Sequence, residues 1–346
     1  MTIEEVAKLA GVSVATVSNV INGKPKASAS TVMKVNRAME AANYKPRPLD
    51  RRPGRRRVKS VGDQALQRFT LIFGNCTLPD FQIPLYSNLI TAINNAAYRK
   101  GVTMVLCRVP PGGKVPPDVL SDGGDGVIVV RHEMVPELYS TLGHLPKVGV
   151  LGDYCADMDI VSVNNDRIGF KAFEYLNSLG LKDFACICDS VHRAQRMRAR
   201  AFRNAAERAG AEAIIEQGKN LILSSRNRVE PNYAAISDLL EKVSARARRP
   251  FGLFCPTDLM ATAVYPCMRR RSLEAGKDFM MISCNYEVPY LAGMDPRPAE
   301  IDLNLDTIGD RALDLLLWRC RNPSEPLSVV LVDPRLIKDG SGEGFQ

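Results

Sequence analysis

The sequence lacks the motifs on which the common enzyme classes depend. It has no HExxH or CxxC pattern and only three histidines, His132, His144 and His192, so we predict no metal site. It also has no GxSxG, no GxxxxGK and no strand-coupled GxGxxG. The sequence therefore does not support a hydrolase, a P-loop enzyme or a dinucleotide-dependent enzyme. We therefore predict no catalytic residue and no cofactor.

Long apolar segments are missing as well. Met1 leads directly into a charged amphipathic segment, unlike a signal peptide, and no apolar run is long enough to span a membrane. The nine cysteines are dispersed, which favours reduced and mostly buried thiols. For the closest pair, Cys186 and Cys188, we expect the sulfurs to point to opposite faces of a strand and not to meet at one metal ion. We expect a cytoplasmic protein without a membrane partner.

Positive charge is abundant only at the amino-terminal end. Residues 1–60 contain 13 Lys and Arg against 4 Asp and Glu, a net charge of +9, whereas the complete chain of 346 residues carries +8. The remaining residues therefore have a net charge of about −1. Such a one-sided distribution is typical of proteins that contact nucleic-acid phosphates.

Residues 2–44 have the periodicity of three short helices. Apolar residues, Leu9 among them, recur at helical spacing until Gly11, which gives the backbone freedom that a tight turn needs. Thr2 stands three residues before Glu5, so the two residues predict a capping box at the start of the first helix.

The second helix of this segment has the character of a recognition helix. Ser13 is a suitable N-cap, and the helix is expected to end near Asn22. Its outward face carries short side chains that suit a DNA groove, those of Val14, Ala15, Ser18 and Asn19. An ordinary helical hairpin is the alternative, and the local positive charge argues against it.

Two segments carry a family resemblance at this end, TIEEVAKLAGVSVATVSNVINGK and VNRAMEAANYKP. They closely resemble the headpiece of the LacI/GalR family of bacterial transcriptional regulators. Similar segments continue to the other end of the chain: SVNNDRIGFKAFEYLNSLG, RMRARAFRNAAERAG, PFGLFCPTDLMATAVYPCMRRRSL and IDLNLDTIGDRALDLLLWRCRNP. The resemblance implies an all-α helix-turn-helix headpiece and an α/β core like the periplasmic binding proteins, with two Rossmann-like lobes, three crossovers and a ligand cleft.

The composition divides the chain into four parts. Residues 1–46 form the expected headpiece, and residues 47–67 an Arg/Pro-rich linker. From residue 68 to 338, short buried strands alternate with helices, which predicts two parallel α/β lobes. The resemblance implies that these lobes bind an effector and form a dimer. Residues 339–346 are a flexible tail without the leucine heptads of a tetramer.

The linker departs from the family pattern. Family members commonly have a hinge helix here that inserts a leucine into the DNA minor groove, and by alignment that leucine position falls on Pro53. Two interpretations remain open: the arginines enter a narrow A·T-rich minor groove, or they form a solvated basic tether that adds nonspecific affinity. The arginines concerned are Arg51, Arg52, Arg55 and Arg56.

Residues of the second helix are expected to read the operator. The resemblance places Val14, Ala15 and Asn19 at the positions that contact base edges. Asn19 stands where arginine is often found, and because asparagine pairs with adenine we predict an A·T-shifted half-site. Ser13, Thr16 and Ser28 are expected at phosphates, and Thr2, Ser18 and Asn22 complete the expected DNA-binding set. One headpiece reads few base pairs, so we expect a homodimer on a pseudo-palindromic operator.

The effector is expected at the carboxyl ends of the strands, where ligands bind in open parallel sheets. The candidates that follow predicted strands are Asn75, Arg131, Asp153, Arg198, Thr257 and Asn285. Arg198 matches an effector-contacting arginine of the family, whereas Asn285 stands where aspartate is common and Thr257 where asparagine is common. The effector, expected to be a sugar or sugar derivative, can therefore differ from the common neutral hexoses. Asp166 and Asp258 are expected to cap their helices.

These patterns together predict a sequence-specific transcriptional regulator, in our preferred interpretation a repressor, whose cleft binds a small molecule and changes operator affinity. A regulator of the same fold that answers to a protein partner or to no ligand is the alternative. A solute-binding protein or a Rossmann-type enzyme fits the sequence less well.

Overall fold

The computed structural model describes residues 2–21, 28–42, 44, 66–116, 119, 125–130, 142–143, 145–152, 157–225 and 228–338. The chain divides into two compact units, Met1–Asp63 and Gln64–Gln346. Among the residues so described, no helix has both the length and the apolar character needed to cross a bilayer.

The first unit is a bundle of three helices, α1 (Ile3–Ala10), α2 (Val14–Ile21) and α3 (Ala29–Ala41). The Glu5 carboxylate accepts a hydrogen bond from the backbone N–H of Thr2 at 2.8 Å, and Gly11 ends α1 with a positive φ of 65°. Six small or branched side chains form its core: Val6, Ala7, Val17, Val35, Ala38 and Ala42. The helix-turn-helix prediction is confirmed, but Leu9 is 61% exposed and does not belong to the apolar face.

The second unit has two lobes, and the first lobe is built on a six-stranded parallel sheet. Its strands are β1 (Arg68–Phe73), β2 (Thr103–Arg108), β3 (Gly126–Val130), β4 (Lys147–Val150), β5 (Asp159–Val163) and β13 (Val329–Val332), in the spatial order β13-β5-β4-β3-β1-β2. The helices that accompany it are α4 (Leu78–Phe81), α5 (Pro84–Arg99) and α11 (Leu305–Arg321).

The second lobe also has a six-stranded sheet, in the spatial order β14-β12-β11-β10-β6-β7, which is parallel except for the antiparallel edge strand β14. Its strands are β6 (Asp183–Asp189), β7 (Ala213–Gly218), β10 (Phe251–Phe254), β11 (Phe279–Asn285), β12 (Ala299–Asp302) and β14 (Arg335–Ile337), and a separate hairpin consists of β8 (Ile222–Ser224) and β9 (Val229–Pro231). Its helices are α6 (Asn165–Ser178), α7 (Arg193–Arg208), α8 (Tyr233–Arg246), α9 (Asp258–Arg269) and α10 (Val288–Leu291).

The chain passes between the lobes three times, at residues 163–165, 302–305 and 332–335. Because each sheet takes strands from distant parts of the sequence, neither lobe is a continuous segment. This arrangement confirms the two-lobed α/β core with three crossovers that the resemblance implies.

Two contacts inside the lobes are unusually close. Gly169 on α6 lies against the backbone of α7, where an added Cβ would be only 2.1 Å from the carbonyl oxygen of Arg198. In the first lobe, Arg319 on α11 forms a buried pair with Asp159 on β5, at 2.6 and 2.8 Å. Both contacts fix a helix with little tolerance for substitution.

Several predictions about local structure were wrong. The apolar run over residues 102–107 predicts a buried strand, but β2 lies at a sheet edge with Leu106 43% exposed. The sequence pattern also predicts a helix over residues 198–209, whereas α7 begins five residues earlier, at Arg193. Asn164 and Thr257 cap α6 and α9, the roles we gave to Asp166 and Asp258. Strands β7 to β9 and β12 to β14 were not predicted, and all of them except β7 are only three or four residues long.

Our expectation for the closest cysteine pair was also wrong. Cys186 and Cys188 are both buried in β6 and lie on the same face, because residues two positions apart on a strand share a face. Burial, together with a hydrogen bond between the two thiols, raises the pKa of the Cys186 thiol well above its usual range. The Cys186 thiol is therefore structural in character, whereas the same hydrogen bond lowers the pKa of the Cys188 thiol.

Candidate DNA interface and effector cleft

The second helix of the headpiece presents a short-chained polar face to solvent. Val14 is 40% exposed and Ala15 is also exposed, while Ser18 and Asn19 are partly exposed. Val17, on the opposite side of α2, is fully buried and anchors the helix in the headpiece core. The four residues expected at base edges or beside them are therefore accessible within the headpiece.

The hydroxyl residues of the headpiece act as helix caps. Ser13 Oγ accepts a hydrogen bond from the backbone N–H of Thr16 at 3.1 Å, and Ser28 Oγ accepts one from the backbone N–H of Thr31 at 3.3 Å. Thr2 stands exposed at the N-terminus of α1. Five further residues of the expected DNA-binding set lie outside the described residues: Asn22, Arg51, Arg52, Arg55 and Arg56.

A cavity of about 260 Å³ lies between the two lobes, at the carboxyl ends of both parallel sheets. Its volume is near the lower end of the usual range for small-molecule sites, roughly 300–1,000 Å³. Polar lining residues are Asn165, His192, Arg193, Gln195, Arg198, Thr257 and Asn285, and the apolar ones include Leu85, Val130, Val150, Val163 and Leu303.

The structure brings three of the predicted effector residues together. Arg198, Thr257 and Asn285 all line the cavity, although they are far apart in sequence. Asn75 lies in the turn after β1 with a φ of 45° but is not among the lining residues. The predicted Arg131 and Asp153 lie outside the described residues.

Arg198 is the most constrained of these side chains. It is only 5% exposed, and its guanidinium donates to Asn165 Oδ1 at 2.9 Å, to the Pro256 carbonyl at 2.6 Å and to Asn285 Oδ1 at 3.0 Å. Every one of these acceptors is a neutral oxygen, so within the described part of the chain the guanidinium makes no hydrogen bond to a carboxylate.

Glu287 connects the cleft floor to the opposite lobe. Its Oε2 accepts a hydrogen bond from Asn285 Nδ2 at 2.8 Å, and its Oε1 accepts one from the backbone N–H of Leu85 at 3.1 Å, at the start of α5 in the first lobe. Asn285 and Tyr286 have φ values of 117° and 62°, which non-glycine residues rarely adopt. Such strain is characteristic of functional sites, and here it directs the Glu287 carboxylate across the cleft.

Two buried carboxyl groups lie beneath this turn. Asp258 is fully buried, and its Oδ2 accepts the backbone N–H of Glu287 at 2.6 Å. Burial, reinforced by the Glu287 carboxylate, raises the pKa of Asp258 well above its ordinary value. Burial also raises the pKa of Glu287, although Asn285, Leu85 and Arg198 act in the opposite direction.

A second hydrogen bond joins the lobes at a different point. The hydroxyl of Ser224, in β8 of the second lobe, donates to Asp80 Oδ1 at 2.8 Å in the first lobe. Asp80 is itself buried and belongs to α4. The described state of the core therefore contains polar contacts across the cleft on two sides of the cavity.

Sequence reasoning missed several residues of this site. Asn165, His192, Arg193 and Gln195 line the cavity because α6 and α7 begin there, and the late predicted start of α7 concealed three of them. The available signal was a run of polar residues directly after the buried strand that ends at Asp189. Glu287 gave a weaker signal, a charged residue just after an apolar strand.

A three-helix headpiece joined to a two-lobed core with a polar cleft is the organisation of ligand-responsive bacterial regulators. Residues 2–47 match the family model of bacterial regulatory proteins of the lacI family, and residues 173–341 match that of the periplasmic binding protein-like domain. The chain therefore belongs to the LacI family of bacterial regulatory proteins.

Relatives extend over almost the whole chain. The HTH-type transcriptional repressor PurR of Vibrio parahaemolyticus is 26% identical, over 97% of this chain and 97% of that protein. The ribose operon repressor of Escherichia coli is 25% identical, over 98% of this chain and 99% of that protein.

Two solved structures share the fold. A complex of the transcriptional regulator CelR with cellobiose has a TM-score of 0.62 at 20% identity, covering 99% of both chains. The lac repressor dimer bound to operator and the anti-inducer ONPF has a TM-score of 0.62 at 18% identity, again covering 99% of both chains.

Proposed function

We propose that this protein is a transcriptional repressor that binds a pseudo-palindromic operator as a homodimer and responds to a small molecule held between its lobes. The observation that carries this proposal is the polar cavity enclosed by both lobes in a chain that also has an exposed recognition face on α2. The relatives named above are repressors, which supports action by binding and not by catalysis, in the bacterial cytoplasm where the DNA lies.

Four parts share this work in our proposal. Residues 1–46 bind DNA, residues 47–67 link them to the core, residues 68–338 bind the effector and dimerise, and residues 339–346 form a tail. In the linker, the choice between minor-groove insertion of the arginines and a solvated tether stays a prediction.

DNA reading is assigned to the exposed face of α2. We expect Val14, Ala15 and Asn19 to contact base edges, with the Asn19 amide pairing with adenine through N6 and N7. The hydroxyls of Ser13 and Ser28 cap helices, and the Thr16 hydroxyl lies 2.9 Å from that of Ser13. Each of the three hydroxyls keeps hydrogen-bonding capacity for a phosphate oxygen.

Effector binding is assigned to the polar side of the cavity. Arg198 and Asn285 would contact the ligand directly, and Thr257 would do so through the hydroxyl that also caps α9. Arg131 and Asp153 stay predictions, and Asn75 requires a ligand that extends beyond the cavity described above.

Coupling between the two functions is assigned to contacts across the cleft. A ligand that hydrogen-bonds Asn285 competes with Glu287, and Glu287 in turn holds the first turn of α5. Ligand binding therefore changes the balance between lobe arrangements, which is the physical requirement for allosteric control.

The proposal is tested by selecting operator sequences from random duplexes with the full chain. We expect an enriched pseudo-palindrome, and Asn19→Ala should lose discrimination at one base pair per half-site by roughly 1–3 kcal/mol. Asn36→Ala is the matched control, because Asn36 is an exposed asparagine on α3, outside the recognition face. Selection that enriches no sequence, or that is unchanged by Asn19→Ala, would contradict the proposed DNA reading.

A further inference from the structure

We propose that the effector of this cleft is an anion, a small molecule that carries a carboxylate or phosphate group, such as a sugar acid or sugar phosphate. The inference rests on the proposed function, in that it takes the cavity between the lobes to be the effector site. It concerns the charge of the ligand, which the proposed function leaves open.

The first observation is the state of Arg198. Its three described hydrogen-bond acceptors are all neutral oxygens, from Asn165, Pro256 and Asn285, and its Nη2 group donates to none of the described residues. The side chain lines the cavity yet is only 5% exposed. The Glu287 carboxylate offsets the charge of Arg198 from behind Asn285 and not through a hydrogen bond between the two. An anionic ligand in the cavity would therefore stabilise the buried guanidinium more than a neutral one.

The second observation is the absence of acid from the described lining of the cavity. That lining contains Arg193, Arg198 and His192, and none of its described members is Asp or Glu. The Glu287 carboxylate lies behind Asn285 and accepts a hydrogen bond from the backbone N–H of Leu85. An anion in the cavity would therefore meet donors and positive charge on the second-lobe side.

The start of α7 adds to this positive environment. His192, Arg193, Ala194 and Gln195 all line the cavity, so the helix begins at the cleft. The N-cap, His192, makes no capping hydrogen bond with its side chain. A 16-residue helix carries partial positive charge at this end, which favours an anion over a neutral ligand.

A row of arginines leads from the surface to the cleft. Arg193, Arg196, Arg200 and Arg203 are spaced by three, four and three positions, so they share one face of α7. They line a second, more open cavity of about 410 Å³, and Arg193 belongs to both cavities. Like charges arranged along one path raise the local concentration of anions and favour their entry.

Ligand binding by the purified full chain tests this proposal. Calorimetry would compare matched series at low salt: D-glucose, D-gluconate and D-glucose 6-phosphate, and D-ribose, D-ribonate and D-ribose 5-phosphate. We expect at least one acid to bind and its neutral counterpart to bind at least tenfold more weakly. Which acid binds distinguishes a carboxylate from a phosphate ligand.

Two variants on the same helix localise the effect. Arg193→Gln should weaken binding of the acid by roughly three- to tenfold, and added salt should reduce affinity for it in the parent chain. Arg208→Gln is the matched control, because Arg208 is an exposed arginine of α7 that lines neither cavity. Equal unfolding temperatures of the unliganded variants would show that the fold is unaffected.

The outcomes separate this proposal from the repressor function. Neutral sugars that bind as tightly as their acids, or a panel in which no acid binds, would overturn the anionic effector and leave operator binding intact. An equal loss in Arg193→Gln and Arg208→Gln would also overturn it. Failure of the repressor function would instead appear as the absence of an enriched operator in the DNA selection.

Discussion

Replacing Arg319 by methionine is expected to destabilise the core strongly. All five N–H donors of Arg319 are used: two reach Asp159, and three reach the carbonyl oxygens of Asn322, Glu325 and Pro326. The side chains of the ion pair are 7% and 0% exposed. The pair thus joins β5, α11 and the segment that leads into β13.

The expected magnitude follows from what the substitution leaves behind. Methionine fills similar space but cannot donate, so Asp159 would keep only the backbone N–H of Ser328 as a donor. Removing one partner of a buried ion pair typically costs about 3–5 kcal/mol, because the remaining charge is uncompensated. Asp159→Asn combined with Arg319→Met should recover part of that loss, since the orphaned charge is then absent.

Urea unfolding measures these differences. Trp318, the only tryptophan of the chain, lies next to Arg319 with the guanidinium 5.0 Å from its ring, so its fluorescence reports on this lobe. Circular dichroism of the same samples monitors the whole chain, and Arg248→Met, which alters a surface pair with 83% of the Arg248 side chain exposed, is the control. A loss below about 1 kcal/mol in Arg319→Met, or a double variant less stable than the single one, would refute the reasoning.

Three further predictions concern the cleft and its support. Burial raises the pKa of Asp258 above its ordinary 3.8, so the folded chain holds that proton more tightly than the unfolded chain does. The stability contributed by this group therefore falls as pH rises above about 4. In thermal unfolding, Asp258→Asn should be more stable than the parent at pH 7, by an amount that shrinks towards pH 4. Gly169→Ala should lose about 1–3 kcal/mol in urea unfolding, because the new Cβ would overlap the Arg198 carbonyl; an unchanged midpoint would contradict this packing. Glu287→Ala should speed hydrogen exchange in the first turn of α5 by roughly five- to tenfold, because the hydrogen bond from the Leu85 N–H, worth about 1 kcal/mol, is lost. Unchanged exchange there would argue against the contact.

Local signals explain why much of the fold was predictable. The helices that follow Ser13 and Asn232 have side-chain caps that are readable in sequence, and the structure contains a capping bond at each. Buried strands such as β3 and β11 were recognisable as short apolar runs.

The remaining features depend on contacts that a local pattern does not contain. Glu287 is identifiable as a bridge only once α5 is known to begin opposite β11, 202 positions away in sequence. Asp258 has the spacing of an N-cap, but Thr257 takes that position and leaves the Asp258 carboxyl buried beneath the next loop. Arg198 was found because its motif resembles a family pattern, whereas Arg193, one turn earlier, belongs to no motif.

The double contact of Glu287 ties two properties of the molecule together. A substitution at position 285 that suits a new metabolite would also remove or move a partner of the carboxylate that holds α5. A substitution that changes ligand preference at this position therefore also changes how easily the lobes move. Altering the specificity of this sensor by changing Asn285 should shift its resting level of repression as well, and restoring that level would require compensation on the α5 side.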